Sequence, residues 1–144
     1  MKVAILCGGV GTRLVEETEI KPKPMVEIGG RPILWHIMMH YSAYGFDEFA
    51  IALGYKGQYI KKYMLDYAAM HGDINVRVRT NQITRRDEVH QDWSVDLVET
   101  GIDTLTGGRV KRLAPYLNGE RFMLTWGDGV SNVDLDKLLA FHKS

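Results

Sequence analysis

The strongest chemical signal in the sequence is the stretch Cys7-Gly8-Gly9-Val10-Gly11-Thr12-Arg13-Leu14, which directly follows the apolar residues 3–6. A short apolar run that ends in glycines predicts a buried strand followed by a sharp loop. Successive glycine amides can direct several N–H donors at one anion, and Arg13 adds a guanidinium fork. A P-loop would need Gly-Lys-Ser/Thr, and a dinucleotide fingerprint would need a glycine in place of Leu14. A plain glycine turn is the alternative, but three glycines with an arginine favour an anion-binding loop.

A second cluster, Lys21-Pro22-Lys23-Pro24-Met25, lies a few residues further along the chain. The prolines fix φ and push the preceding residues toward extended conformations, so both lysines are expected on a stiff, non-helical segment. A stiff segment can hold an ammonium against a phosphate with little loss of rotamer freedom. An ordinary proline-rich surface loop with solvated lysines is the alternative. Because the cluster follows an anion-binding loop, we favour a functional role.

The elements that must position these residues alternate along the chain. Apolar runs predict strands at residues 3–6, 49–53, 74–78 and 122–126, and helical periodicity predicts helices at 33–44, 58–70, within 104–117, and at 134–142. Repeated strand–helix units predict an α/β fold with a mostly parallel sheet and helices on both faces. Residues 79–93 are charged and unpatterned, which indicates a surface excursion. In such sheets ligands bind beyond the carboxyl ends of the strands, where the glycine loop, Thr100-Gly101 and Gly127-Asp128-Gly129 are all expected.

Composition limits the classes of function. Eighteen basic and eighteen acidic residues give a formal net charge of +0, so no global field would recruit nucleic acid or a membrane. One cysteine excludes an internal disulfide, and no leader or membrane-spanning apolar run is present. With 144 residues and 45% hydrophobic content, we expect one domain with one core, in the cytoplasm.

Taken together, these motifs resemble the signature of the sugar-1-phosphate nucleotidyltransferases, and the resemblance covers essentially the whole chain. It implies a Rossmann-like, GT-A-like nucleotidyltransferase fold. Within the family the chain is most similar to the branch that transfers cytidylyl groups to glucose 1-phosphate. The motifs that carry this similarity are Glu16-Glu17-Thr18, Trp35-His36-Ile37-Met38, Gly54-Tyr55-Lys56-Gly57, residues 93–101, Thr106-Gly107-Gly108-Arg109 and Gly127-Asp128-Gly129.

The resemblance implies that CTP and glucose 1-phosphate react to give CDP-glucose and pyrophosphate. The attacking phosphate oxygen is already an anion, so catalysis consists of aligning two anions and neutralising charge. Arg13 would grip the triphosphate, and Lys23 would lie on the α-phosphate or the sugar phosphate, with Lys21 the weaker candidate. Asp128 would hold Mg²⁺, which favours carboxylate and phosphate oxygens. Its alternative is a turn residue between two glycines.

Base selection is assigned by the resemblance to the loop Thr106-Gly107-Gly108-Arg109. Glycines there would let main-chain groups read the edge of the base, and Arg109 can donate to the acceptors of cytosine. A surface arginine at a helix start is an equal alternative for Arg109. The expected nucleotide-binding residues are Leu6, Gly8, Gly9, Gly11, Thr12, Arg13, Lys23, Thr106, Gly107, Gly108, Arg109 and Asp128.

Some features are interpreted as structural. His36 and His40 have the spacing of a zinc pair but lack the glutamate of the known motif, so we expect helix-face histidines. Cys7 stands where a small residue must fit, and a reactive thiol is not favoured.

Length sets a further expectation. Members of the family continue well past residue 144 and carry there a second metal-binding aspartate, a sugar-phosphate lysine and most of the sugar pocket. We therefore expect residues 1–144 to be the nucleotide-binding part of a truncated domain, inactive alone. The shortened sheet should expose an edge that favours a homo-oligomer. A non-catalytic nucleotide-binding fragment or subunit, and uridylyl or thymidylyl transfer, stay open as alternatives.

Overall fold

The computed structural model describes residues 1–10, 20–86 and 91–144. Single turns of 3-10 helix occur at Lys23–Met25 and Val78–Thr80. The remaining elements are, in chain order, β1 (Val3–Cys7), β2 (Glu27–Ile28), β3 (Arg31–Pro32), α1 (Ile33–Ser42), β4 (Glu48–Leu53), α2 (Gly57–Met70), β5 (Ile74–Arg77), β6 (Gln82–Arg85), β7 (Ser94–Glu99), α3 (Thr106–Leu117), β8 (Met123–Trp126) and α4 (Leu135–Lys143).

The centre of the fold is a four-stranded sheet in the order β7-β4-β1-β8. All three strand pairings are parallel, and Cys7 at the end of β1 lies opposite Leu53 at the end of β4. Every residue of β1 is buried, which fits an apolar run covered on both faces. The predicted parallel α/β fold is confirmed. Because the strands are parallel, their carboxyl ends lie along one edge, which we call the carboxyl rim.

Helices cover both faces of the sheet, as predicted. On one face, α1, α2 and α4 contribute Leu34, Ile60 and Leu135 to a core with the odd-numbered residues of β1. On the other face, α3 contributes Leu113 and Leu117 to a smaller core with the alanines of β1 and β4. Because α3 follows β7, which ends at the carboxyl rim, the amino end of α3 lies at that rim.

One predicted strand lies outside the central sheet. Residues 74–77 form β5, which pairs with β6 in a separate antiparallel hairpin, and every residue of both strands is exposed. The expectation of an unpatterned segment is therefore wrong for residues 79–86. The hairpin forms because Asn81 adopts a left-handed conformation at φ 53° and returns the chain onto β5. β7 occupies the sheet edge instead.

The other sheet edge is β8, which pairs with β1 and with no further strand among the described residues. Leu124 and Trp126 of β8 lie opposite Ala4 and Leu6 and are 48% and 58% exposed. The expectation of an exposed edge with apolar side chains is confirmed. Of the helices in the described ranges, none is long and apolar enough to span a membrane.

Candidate active site

A cleft of about 230 Å³ opens at the carboxyl rim, between the ends of β1 and β8 and the start of α3. Four separated parts of the sequence meet there, because β1 lies beside β8, α3 packs on the small residues of β1, and Lys23 pairs with Asp128. The cleft is lined by Leu6, Cys7, Gly8, Gly9, Lys23, Pro24, Thr104, Leu105, Thr106, Arg109, Trp126 and Asp128.

Most of the predicted nucleotide-binding residues within the described ranges lie at this cleft. Leu6, Gly8, Gly9, Lys23, Thr106, Arg109 and Asp128 line it. Gly107 and Gly108 lie beside it in the first turn of α3. The predicted residues Gly11, Thr12 and Arg13 fall outside the described residues, so the structure does not bear on their roles.

Lys23 and Asp128 are joined directly across the cleft. The ammonium Nζ of Lys23 donates to Oδ2 of Asp128 at 3.0 Å, and the two side chains are 22% and 40% exposed. Both candidate charged groups thus point at the same place, although they are far apart in sequence.

The local backbone fixes both partners of this pair. Lys23 begins a turn of 3-10 helix after Pro22, whose φ is −67°, and the next residues, Pro24 and Met25, are buried. The predicted non-helical segment is therefore wrong for residues 23–25, because Pro24 at the start of a helical turn is compatible with helical φ. Asp128 follows Gly127, whose N–H donates to the carbonyl of Leu6 at 2.9 Å. A Cβ at position 127 would overlap the thiol of Cys7, so glycine lets this turn pack against β1.

The donor set decides which metal could fit. Within residues 1–10, 20–86 and 91–144, no group of three or more His, Cys, Asp or Glu side chains could hold a metal ion. Asp128 provides one carboxylate, so an ion here would need oxygens from a phosphorylated ligand. That donor set fits Mg²⁺, which commonly uses one or two carboxylates with substrate phosphates and water.

The two histidines of α1 contact neighbouring groups of the protein. Nε2 of His36 lies 2.7 Å from the carbonyl oxygen of Ile28, and the ring of His40 packs edge-on against Tyr41 and Tyr44. The interpretation of both as structural helix-face histidines stays a prediction. Cys7 is 1% exposed, and burial, with a smaller contribution from the charge of Asp128, raises the pKa of its thiol. Its thiol therefore stays protonated and has little nucleophilic character at neutral pH.

Arg109 is not a surface residue, so that alternative for it is wrong. It is 5% exposed, and both of its η nitrogens donate to protein oxygens. Nη2 binds the carbonyl of Gly8 at 3.0 Å, and Nη1 binds the hydroxyl of Thr100 at 2.8 Å and the carbonyl of Gly101 at 2.7 Å. Burial, together with the nearby charge of Arg112, lowers the pKa of the Arg109 guanidinium. Contact between Arg109 and a base stays a prediction.

Five lining residues are absent from the predicted set: Cys7 and Pro24, which adjoin predicted residues, and Thr104, Leu105 and Trp126. Thr104 and Leu105 lie just before α3, and the half-exposed indole of Trp126 ends β8. The apolar pattern of residues 122–126 indicated a strand but not which of its residues would stay uncovered. The position of Trp126 next to Gly127-Asp128 is the signal that could have identified it as a rim residue.

Residues 3–86 match the model of the MobA-like NTP transferase domain. The whole chain is 48% identical to glucose-1-phosphate cytidylyltransferase of Salmonella typhimurium and covers 56% of that protein. It is 45% identical to the probable glucose-1-phosphate cytidylyltransferase of Bacillus subtilis, again over 100% of this chain and 56% of the relative. The chain therefore spans little more than half the length of these relatives.

A solved structure gives the same picture of the fold. The crystal structure of HddC from Yersinia pseudotuberculosis complexed with GMP-PN superposes with a TM-score of 0.69 at 27% identity, over 97% of this chain and 53% of that one. The UDP-glucose pyrophosphorylase complexed with UDP-glucose superposes with a TM-score of 0.68 at 17% identity, over 99% and 52%. The domain match covers more than half of this chain. The chain therefore belongs to the family of MobA-like nucleotidyltransferases.

Proposed function

We propose that these residues form the nucleotide-binding part of a protein that transfers a cytidylyl group from CTP to glucose 1-phosphate. The products would be CDP-glucose and pyrophosphate. The observation that carries the proposal is the cleft in which Lys23 and Asp128 meet beside the glycine loop. A cation and a carboxylate next to backbone donors suit a triphosphate and its metal ion. The identity of 48% to a glucose-1-phosphate cytidylyltransferase supports the choice of nucleotide and sugar.

The residues of this chain would act by alignment and by charge. Lys23 would leave Asp128 and place its ammonium on the α-phosphate, where negative charge increases as the sugar phosphate attacks. Among the described residues nothing lies within 4 Å of a Cβ position at Gly9, so a phosphate could approach the backbone closely there. Asp128 would hold Mg²⁺, which when bound would neutralise charge on the phosphates.

Base recognition is proposed for the loop that leads into α3. Thr104, Leu105 and Thr106 line the cleft next to the glycine loop, and a Cβ at Gly107 would meet nothing within 4 Å in the part of the chain that the structure describes. A flat base could therefore lie against this loop with its edge close to main-chain groups. Such edge contacts distinguish cytosine from uracil, because the exocyclic groups differ in donor and acceptor character.

Calorimetric titration of the chain with Mg²⁺ and each of CTP, UTP, ATP and GTP tests the proposal. We expect CTP to bind at least about tenfold more tightly than the others, which corresponds to about 1.4 kcal/mol. Equal affinities for all four triphosphates would overturn the base assignment and favour a general nucleotide-binding module. Absence of binding for every triphosphate would overturn the site itself.

The expected homo-oligomer stays a proposal of the same kind. It is supported by the exposed apolar side chains of β8 and by the hairpin of β5 and β6, whose residues are all exposed. Isolated two-stranded hairpins are only marginally stable in water. Analytical ultracentrifugation would show concentration-dependent association, and a monomer at every concentration would contradict it.

A further inference from the structure

Arg109 ties together the carboxyl ends of several strands. Its guanidinium donates to the carbonyl of Gly8 after β1, to the carbonyl of Leu53 at the end of β4, and to Thr100, Gly101 and Ile102 after β7, at distances of 2.7–3.4 Å. In the part of the chain that the structure describes, no ion pair joins Arg109 to a carboxylate. A buried guanidinium that binds only neutral oxygens is held in one orientation by its fork of donors.

Two glycines are required by this guanidinium. A Cβ at Gly8 would overlap it, and a Cβ at Gly54 would lie 2.6 Å from Nη1 of Arg109. A Cβ at Gly9, in contrast, would meet no other described residue within 4 Å. The adjacent glycines thus differ in purpose: Gly8 makes room for the arginine, and the open side of Gly9 is available to a ligand.

The contact with Gly8 fixes the direction of the next amide. The carbonyl of Gly8 accepts from Nη2 of Arg109 at 3.0 Å and from the N–H of Tyr55 at 3.2 Å. No peptide bond among the described residues is cis, and in a trans peptide the C=O and the following N–H point in opposite directions. The N–H of Gly9 must therefore point away from the guanidinium.

The same side chain holds the loop between β7 and α3. Nη1 binds the carbonyl of Gly101, Nη2 binds that of Ile102, and Thr100, which is 0% exposed, receives a hydrogen bond from Nη1 and donates one to Leu53. This loop continues into Thr104, Leu105 and Thr106 at the cleft. One guanidinium thus orients the proposed phosphate loop and the proposed base loop together.

We propose that Arg109 is a positioning residue that orients the Gly9 amide for phosphate binding through the Gly8–Gly9 peptide, whatever contact it also makes with a base. The proposal rests on the proposed function in so far as the ligand is a triphosphate. It predicts that loss of the fork weakens binding of any triphosphate chain, with or without a base. An arginine that only reads the base would instead affect CTP and leave a base-free polyphosphate unchanged.

The test compares Mg²⁺–tripolyphosphate and Mg²⁺–CTP as ligands of the Arg109→Lys variant. Lysine keeps the charge but cannot bind Gly8, Thr100 and Gly101 simultaneously. We expect the affinity for tripolyphosphate to fall about tenfold or more, as for the loss of a charge-assisted hydrogen bond, and the affinity for CTP to fall at least as much. Lys111→Met, an exposed charge on the same helix, should change neither. A loss confined to CTP, or no loss at all, would overturn the proposal.

Two further variants keep the test decisive if Arg109→Lys folds poorly. Thr100→Val removes one partner of the guanidinium with little change in volume and should weaken the binding of both ligands by a smaller factor. Gly8→Ala forces the guanidinium aside. It should therefore weaken tripolyphosphate binding strongly in the otherwise unaltered chain, but much less when Arg109→Ala is also present. If the effects of Gly8→Ala and Arg109→Ala on affinity were additive, Arg109 would not act through Gly8. Failure of the unaltered chain to bind either ligand would instead contradict the proposed function.

Discussion

Substitution of Lys23 and Asp128 separates the roles of the two charges that meet at 3.0 Å. Because the ammonium occupies the carboxylate, a metal ion that binds Asp128 must displace Lys23. Lys23→Met should therefore strengthen the binding of Mg²⁺ or Mn²⁺ alone while it weakens the binding of Mg²⁺–CTP. Asp128→Asn should remove the part of CTP binding that depends on the metal. Opposite signs for the two ligands are the distinctive expectation for Lys23.

The magnitudes follow from exposure. The side chains of Lys23 and Asp128 are 22% and 40% exposed, so their pair is worth about 0.2–1 kcal/mol. Loss of either partner should cost no more than this in stability, and metal affinity in Lys23→Met should rise by no more than about fivefold. For Mg²⁺–CTP, removal of a charged partner costs at least about 2 kcal/mol, or roughly thirtyfold.

The chain offers a matched control in Lys2 and Asp96. They form a pair at 3.3 Å with exposures of 24% and 38%, away from the residues that line the cleft. Lys2→Met and Asp96→Asn should reproduce the small change in melting temperature without any change in binding. Calorimetry with and without metal measures both ligands. The reasoning is refuted if Asp128→Asn keeps the full metal dependence, or if Lys23→Met leaves affinity for the bare metal ion lowered or unchanged.

Two other expectations concern the cleft and its completeness. Trp126 lines the cleft with 58% exposure, so binding of CTP should change its fluorescence, and Trp126→Phe should abolish most of that change if the signal comes from the cleft. A polypeptide of these 144 residues should bind CTP yet release pyrophosphate very slowly with glucose 1-phosphate, because orientation of the acceptor can contribute about 7–11 kcal/mol. Rapid synthesis of CDP-glucose by that polypeptide would show that the acceptor pocket lies within it.

The sequence predicted the parallel sheet because its signals are local. Residues 3–6 and 49–53 are short apolar runs ended by glycine, and both become central strands buried on two faces. The hairpin of β5 and β6 was not predicted, because its alternation resembles that of a strand in the main sheet. What placed it outside was a pairing with the next few residues through Asn81. Whether a strand pairs with a neighbouring segment or with a distant one cannot be predicted from the residues of that strand.

The cleft was predicted in outline for a related reason. Carboxyl ends of parallel strands must lie on one rim, so Gly8 and Asp128 could be brought together from the order of elements, whereas Lys23 was assigned to the same site by the family resemblance. Arg109 was assigned to the same cleft, but its burial and its partners could not be derived. They depend on how α3 packs against the sheet, where it contacts the small residues Ala4, Ala50 and Ala52. Small residues in strands are too common to indicate such packing.

Gly8 and Gly9 give the clearest case of what local sequence cannot resolve. Two adjacent glycines at the end of a strand suggest one purpose, the approach of a ligand to the backbone. Of these two glycines, Gly9 has open space among the described residues, whereas the space beside Gly8 is filled by the guanidinium of a residue 101 positions later. Alanine at each position should therefore weaken phosphate binding, but for different reasons. At position 8 it would displace Arg109, and at position 9 it would obstruct the approach of a phosphate. Shortening residue 109 can relieve the first defect and cannot relieve the second.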